Sequence, residues 1–268
     1  MWRRSLIVLA LCLALPNLAA ASAATRHETG FLDRSVSVGG VEYRYQVYVP
    51  RDFDPKRKWP VILTLHGGGE YGSDGISITA GAFGPILRKH PERLPAIVVF
   101  PQAHADGTPG WQRQGGEAAL KAVDSAVAEF NGDPSHILLT GFSAGGNGAW
   151  FLAYHQPRKF AAVLVVSGFV SDFTGGQSHV FYPAIAGMGG DRYDLVARRV
   201  KDLPIWIVHG DADRNVSVEE SRHMAAALKA ASADVRYTEL PGADHAAAAA
   251  HAFTDPDIAA WLLAQSRR

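Results

Sequence analysis

Six short, largely apolar runs recur along this chain: Val61 to Leu65, Ile97 to Phe100, Ile137 to Leu139, Ala162 to Val166, Ile205 to Val208 and Val235 to Thr238. They restrict its fold more than any other feature. Such runs are too short for buried helices, and most are apolar at consecutive positions, so both faces must be covered. Parallel strands enclosed between helices meet both conditions. The intervening stretches Glu117 to Phe130, Ala149 to Tyr154, Val218 to Ala230 and Pro256 to Ser266 carry helical spacing. Upstream, Val36 and Val38, the Gly39-Gly40 pair, and the alternation Val41, Tyr43, Tyr45, Val47, Val49 read as an antiparallel hairpin within Phe31 to Pro50. A hairpin followed by alternating strands and helices predicts an α/β sandwich: a mostly parallel central sheet with helices on both faces.

Residues 1–24 read as an export signal outside this sheet. Arg3 and Arg4 precede an apolar stretch, Leu6 to Leu15, that is too short to span a bilayer, and small residues from Ala19 to Ala24 offer a cleavage point. The expectation is a secreted or periplasmic protein with one catalytic domain over residues 25–268. Its single cysteine, Cys12, lies in the signal, so the mature chain has no disulfide, thiol nucleophile or thiolate metal site. The histidines show no metal-ligand spacing, and neither a metal nor a cofactor is expected. Formal net charge is zero and becomes slightly negative once Arg3 and Arg4 are removed. Nucleic acid and anionic membranes both demand a basic face, so neither is an expected partner. The expected partner is a small-molecule or oligomeric substrate.

No repeat or linker divides the remainder. Phe169 to Arg199 separates two strand candidates, is Gly-rich and contains Phe173, Phe181, Tyr182 and Tyr193. An insertion of this length predicts a lid or substrate wall.

Chemistry enters at Gly141-Phe142-Ser143-Ala144-Gly145, which follows the apolar run ending at Thr140. A serine on a sharp strand-to-helix turn is a displayed nucleophile, and small neighbours keep the turn uncrowded. The helix after it, Gly146 to His155, aims its positive end at the site. Such a serine needs a base, and the base needs an orienting acid. In this architecture they follow in the order serine, acid, histidine, each on a loop after a strand. Asp211 and Asp213 are the acid candidates in the loop after Val208. Asp213 is favoured because it lies deeper, while Asp211 suits a turn role. His245, past the last strand, is the base candidate. His209 at a strand end reads as buried and hydrogen-bonded, His251 as a surface residue, and Ala246 to Ala250 as a helix turn. The developing oxyanion needs two backbone N–H donors. Ala144 is one candidate, and Gly68 in His66-Gly67-Gly68-Gly69 is the other.

These residues together resemble the α/β-hydrolase superfamily. The chain is most similar to its polyhydroxybutyrate-depolymerase and feruloyl-esterase branch and to a related group of predicted peptidases. The resemblance rests on Leu65 to Gly72, Phe100-Pro101-Gln102 with Trp111, Gly141 to Gly146, His209 to Asp213 with Val216, Gly242 to His245 and Asp255 to Gln265. It implies the α/β-hydrolase sandwich, maps the acid onto Asp213, and brings Gln102 and Trp111 to the pocket mouth. Group members carry a large aromatic shortly after the histidine, where this chain has alanines. The resemblance implies a serine esterase for short-chain, hydroxyacyl or feruloyl-type esters; the substrate-binding domain that secreted depolymerases often add does not fit in this length, so soluble esters are expected rather than polymer. A serine peptidase acting on short peptides is the alternative, and a non-catalytic binding protein a third reading.

Overall fold

The computed structural model describes residues 27–104, 110–171, 173–175, 179–181 and 190–267. Residues 1–24, read above as an export signal, and Tyr182 lie outside these residues, as do the side chains of Phe173 and Phe181.

The hairpin forms as expected, from β1 (Gly30–Val38) and β2 (Val41–Val49). Gly39 and Gly40 turn it with φ of 57° and 82°, the left-handed geometry of a two-residue turn matched to strand twist. Then come β3 (Trp59–Leu65), α1 (Gly84–Lys89), β4 (Ile97–Pro101), α2 (Gln114–Glu129), β5 (Gly132–Phe142), α3 (Ala144–His155) and β6 (Ala162–Val166). A small antiparallel pair, β7 (Phe173–Gly175) and β8 (His179–Phe181), stands apart from the main sheet. The chain continues with α4 (Arg192–Val200), β9 (Ile205–Gly210), α5 (Val218–Ala230), β10 (Val235–Leu240), α6 (His245–Thr254) and α7 (Pro256–Leu263).

The main sheet has eight strands in the order β1-β2-β4-β3-β5-β6-β9-β10. β1 and β2 pair antiparallel with each other, and β2 with β4; every later pairing is parallel. Alternation along the strands explains the apolar runs. Val61, Leu63, Val99, Leu139, Val163 and Ile207 enter one core with residues of α2, α3 and α5. Ile62, Val98, Leu138, Leu164 and Val208 enter a second core on the other face with residues of α1, α6 and α7. The side chains named here are essentially inaccessible to water, and burying one contributes about 1.5–3 kcal/mol; the edge strand β10 stays partly exposed.

Two elements differ from the sequence expectation. β5 begins at Gly132, because the register shift between Trp59 and Val61 lets Trp59 pair with Gly132. The insertion after β6 ends in a regular helix, α4. Its N-cap Asp191 accepts the Tyr193 and Asp194 N–H groups, and Val196, Ala197 and Val200 are buried along one face. Among the described residues no helix is long and apolar enough to cross a membrane.

Candidate active site

The parallel strands end together on one side of the sheet, where loops from β3, β5, β9 and β10 converge. Ser143 sits between β5 and α3 with φ 58° and ψ −119°. A left-handed φ at a non-glycine residue costs on the order of 1–3 kcal/mol and persists only where its surroundings enforce it. Here they do. The Ser143 N–H donates to the Val166 carbonyl at 2.9 Å, and the Asn147 N–H donates to the Ser143 carbonyl at 3.1 Å. A methyl group on Gly141 would lie 2.0 Å from the Gly145 carbonyl oxygen, and one on Gly145 would lie 2.0 Å from that of Leu65. The turn closes only because both positions lack a side chain. Buried Asn147 ties it to neighbouring loops, accepting from Gln112 Nε2 at 2.8 Å and donating to the Phe169 carbonyl at 3.1 Å.

Asp213, after β9, has a fully buried side chain. Its Oδ1 accepts the backbone N–H groups of Asn215 at 2.8 Å and Val216 at 2.9 Å. Its Oδ2 accepts His245 Nδ1–H at 2.6 Å. Burial pushes this carboxyl up, but the hydrogen bonds from His209, His245 and Val216 outweigh it and hold Asp213 far below the usual carboxylate range. His245 opens α6 directly after its N-cap Asp244, which accepts the Ala247 N–H. Its ring lies 4.6 Å from that of Phe142, the residue before Ser143. The histidine–aspartate pair therefore stands beside the serine turn. Asp211 is exposed, and its carboxylate accepts the Gly242 N–H at 2.6 Å. It organises the turn that carries His245, as expected of an aspartate in a turn.

His209 is buried and hydrogen-bonded, as its strand-end position implied, but its partner is more telling than the sequence indicated. Nε2 faces Asp213 Oδ2 at 3.2 Å and the Val216 carbonyl at 3.1 Å, while Nδ1 meets Ser221 Oγ at 2.7 Å. Two acceptors at Nε2 require the proton there, so Ser221 donates to Nδ1 in the neutral ring. Asp213 thus receives two imidazole N–H groups. Nothing in the sequence beyond a histidine closing β9 marked this second contact.

The loop after β3 lies across the serine turn. A methyl on Gly67 would be 3.4 Å from Phe142 Cδ1 and 3.6 Å from Ser143 Cβ, so the backbone itself makes the approach. Gly68 follows in a tight 3-10 turn (Gly68–Glu70), and Ala144 is the first residue of α3. His66 secures this loop. Its Nε2 accepts the Ala103 N–H at 3.1 Å, which leaves Nδ1–H to donate to the Gly67 carbonyl at 2.7 Å. Burial pulls its pKa down to about 4.

The two residues expected at the pocket mouth, Trp111 and Gln102, are both buried. The Trp111 indole N–H donates to the His66 carbonyl at 3.1 Å. Gln102 Oε1 accepts the Gly75 N–H at 2.6 Å, and its Nε2 donates to the Glu70 carbonyl at 3.1 Å and to Ser77 Oγ at 2.9 Å. Both brace the loop after β3 from behind, because their polar groups are the donors and acceptors that loop needs. Tyr193 likewise turns away, its ring 5.3 Å from His223 on α5. His251 is exposed, with Nε2 3.3 Å from Asp255. Among the described residues no group of three or more His, Cys, Asp or Glu side chains is arranged to hold a metal ion.

A serine on a strained strand-to-helix turn, beside a histidine–aspartate pair at the ends of an eight-stranded sheet, defines a serine hydrolase of the α/β-hydrolase fold. The chain belongs to the prolyl oligopeptidase family, which matches residues 104–266. It is similar to a solved thermostable esterase at 28% identity and a TM-score of 0.72, covering 88% of this chain and 63% of that one. It is 28% identical to dipeptidyl-peptidase 5 of Porphyromonas gingivalis over 77% of its own length and 34% of that protein. It is 25% identical to an uncharacterized secreted protein of Arthroderma benhamiae over 72% of its length and 22% of that protein. The chain thus spans about a third or less of these two curated relatives.

Proposed function

We propose that this chain is an exported serine esterase acting on small, soluble carboxylic esters. The observation that carries the reading is the 2.6 Å His245–Asp213 pair beside the Ser143 turn. With Nδ1–H committed to Asp213, the free Nε2 of His245 is the base. It takes the Ser143 proton as Oγ attacks the ester carbonyl, and the buried carboxylate stabilises the imidazolium that forms. The tetrahedral oxyanion is held by the backbone N–H groups of Ala144 and Gly68. His245 returns the proton to the departing alcohol, leaving an acyl group on Ser143. Water, deprotonated by the same imidazole, then releases the acid.

The similarity to the thermostable esterase supports an ester substrate. Membership in the prolyl oligopeptidase family and the likeness to dipeptidyl-peptidase 5 favour one second reading, cleavage of short peptides by the same machinery. Export rests on residues 1–24 and on the likeness to a secreted protein. The test is hydrolysis by the mature protein of p-nitrophenyl esters from acetate to decanoate, methyl ferulate and a peptide anilide, with Ser143→Ala as control. Serine-dependent ester cleavage without anilide cleavage is expected. Anilide cleavage alone makes it a peptidase, and ester hydrolysis surviving in Ser143→Ala removes the assignment.

A further inference from the structure

Beside the serine turn lies a narrow cavity of about 20 Å³, room for one group the size of a water molecule or an ammonium, walled by Ile78, Phe83, Phe142 and Phe253 and touched by one carboxylate, Glu70. Phe142 connects it to the site, since this ring adjoins His245 and its residue precedes Ser143. Glu70 is also close to the nucleophile. A methyl on Gly67 would sit 3.4 Å from Glu70 Oε2 and 3.6 Å from Ser143 Cβ, so those two atoms are at most about 7 Å apart.

The neighbouring chain leaves room for this carboxylate. A methyl on Gly81 would fall 1.9 Å from Glu70 Oε1, so a side chain there would push the carboxylate aside. Burial raises the Glu70 pKa, against the pull of hydrogen bonds from its own backbone and that of Gly67. Among the described residues lining the cavity there is no lysine or arginine, and His66 is neutral there. A carboxylate facing aromatic walls with no cation of its own is complementary to a cation brought by a ligand.

We propose that Glu70 is the recognition carboxylate of this site, and that the substrates it selects carry an ammonium group on the carbon next to the scissile carbonyl. These are α-amino acyl esters, with short peptides bearing a free amino terminus as the amide counterpart. The reach fits. In the acyl-enzyme, four single bonds separate Ser143 Cβ from such a nitrogen, roughly 5 Å when extended, and an N–H···O bond adds ~2.9 Å. Together these cover the gap. The apolar lining from Phe83, Phe142 and Phe253 excludes water around the ammonium, and Glu70 supplies the charge. The proposal rests on Ser143 being the nucleophile, and it adds which acyl groups reach it.

The test compares kcat/KM for alanine ethyl ester and ethyl isobutyrate, which differ by ammonium against methyl. Intrinsic reactivity cancels when this ratio is compared between wild type and Glu70→Gln. The ratio should fall roughly 10- to 100-fold, the scale of a lost charge-assisted hydrogen bond. Gly81→Ala should lower it too, because the new methyl displaces the carboxylate while Glu70 remains in the chain. Unchanged ratios in both variants overturn the proposal and leave the hydrolase intact. A wild-type preference for ethyl lactate over alanine ethyl ester also overturns it, in favour of a neutral hydroxyl. A readout without turnover uses calorimetry on Ser143→Ala. Alaninamide should bind at least ten-fold tighter than isobutyramide, and adding Glu70→Gln should abolish the difference. Equal binding in Ser143→Ala overturns the assignment even if no ester is cleaved, whereas tighter alaninamide binding without ester cleavage implicates the esterase reading and not Glu70.

Discussion

Replacing Asp213 with asparagine separates the catalytic role proposed for it from its structural one. The carboxylate receives two backbone N–H groups on Oδ1 and two imidazole N–H groups on Oδ2. An asparagine carbonyl keeps the backbone pair, which turns its NH2 toward both imidazoles, donor against donor. His209 retains the Val216 carbonyl, and His245, 14% exposed, has access to water. The folded state therefore loses about 1–3 kcal/mol, the cost of donors left poorly paired. Catalysis loses more. His245 satisfies the new NH2 only by accepting it at Nδ1, which places its proton on Nε2 and removes the base from Ser143. A wrong tautomer of this kind costs about 10⁴-fold in kcat, or about 5.5 kcal/mol. The assay is p-nitrophenyl acetate turnover beside urea unfolding, with Asp211→Asn as comparison. If Asp213→Asn keeps more than a tenth of wild-type kcat/KM, or if Asp211→Asn loses more than it does, the reasoning fails.

Further expectations concern the supports of the site. His66 is neutral when folded, with a pKa of about 4 against about 6.5 in the unfolded chain. Its contribution is complete above pH 6.5 and is lost as pH falls toward 4, because the unfolded chain takes up the proton first. This amounts to about 3 kcal/mol, and urea midpoints should fall over that window in wild type and flatten in His66→Gln. His209→Phe removes one donor to Asp213 and should lower kcat about ten-fold with KM nearly unchanged; steady-state kinetics showing only a KM change would contradict it. Gly145→Ala drives a methyl to 2.0 Å from the Leu65 carbonyl oxygen. It should destabilise the fold by roughly 1–3 kcal/mol, read from the urea midpoint at constant slope.

The inner strands of the sheet were legible because burial on both faces leaves runs that polar residues rarely interrupt; β6 spans Ala162–Val166 and α5 spans Val218–Ala230, as their spacing indicates. That His245 and Asp213 meet beside the Ser143 turn was legible for another reason, since each of the three follows a strand in a fixed chain order. α4 carried a signal in Asp191 followed by Val196, Ala197 and Val200, masked by the glycine-rich stretch before it. Trp111 and Gln102 could not be placed from type alone. An indole N–H and a carboxamide suit a pocket wall or a buried brace equally, and only the positions of the His66, Gly75 and Glu70 backbone groups decide between them. His209 required coordinates for the same reason, because its second acceptor is reached through the fold of the loop rather than through spacing.

The central claim is that Ser143 is the nucleophile activated by His245 and Asp213. Its most direct test is intact-mass and peptide mapping of the mature protein after treatment with a fluorophosphonate, with ester hydrolysis followed in parallel. The account predicts one adduct, on Ser143, forming at the rate activity disappears and slowed by orders of magnitude in Asp213→Asn. Full activity after labelling, or an adduct on another residue that accompanies the loss, would contradict it.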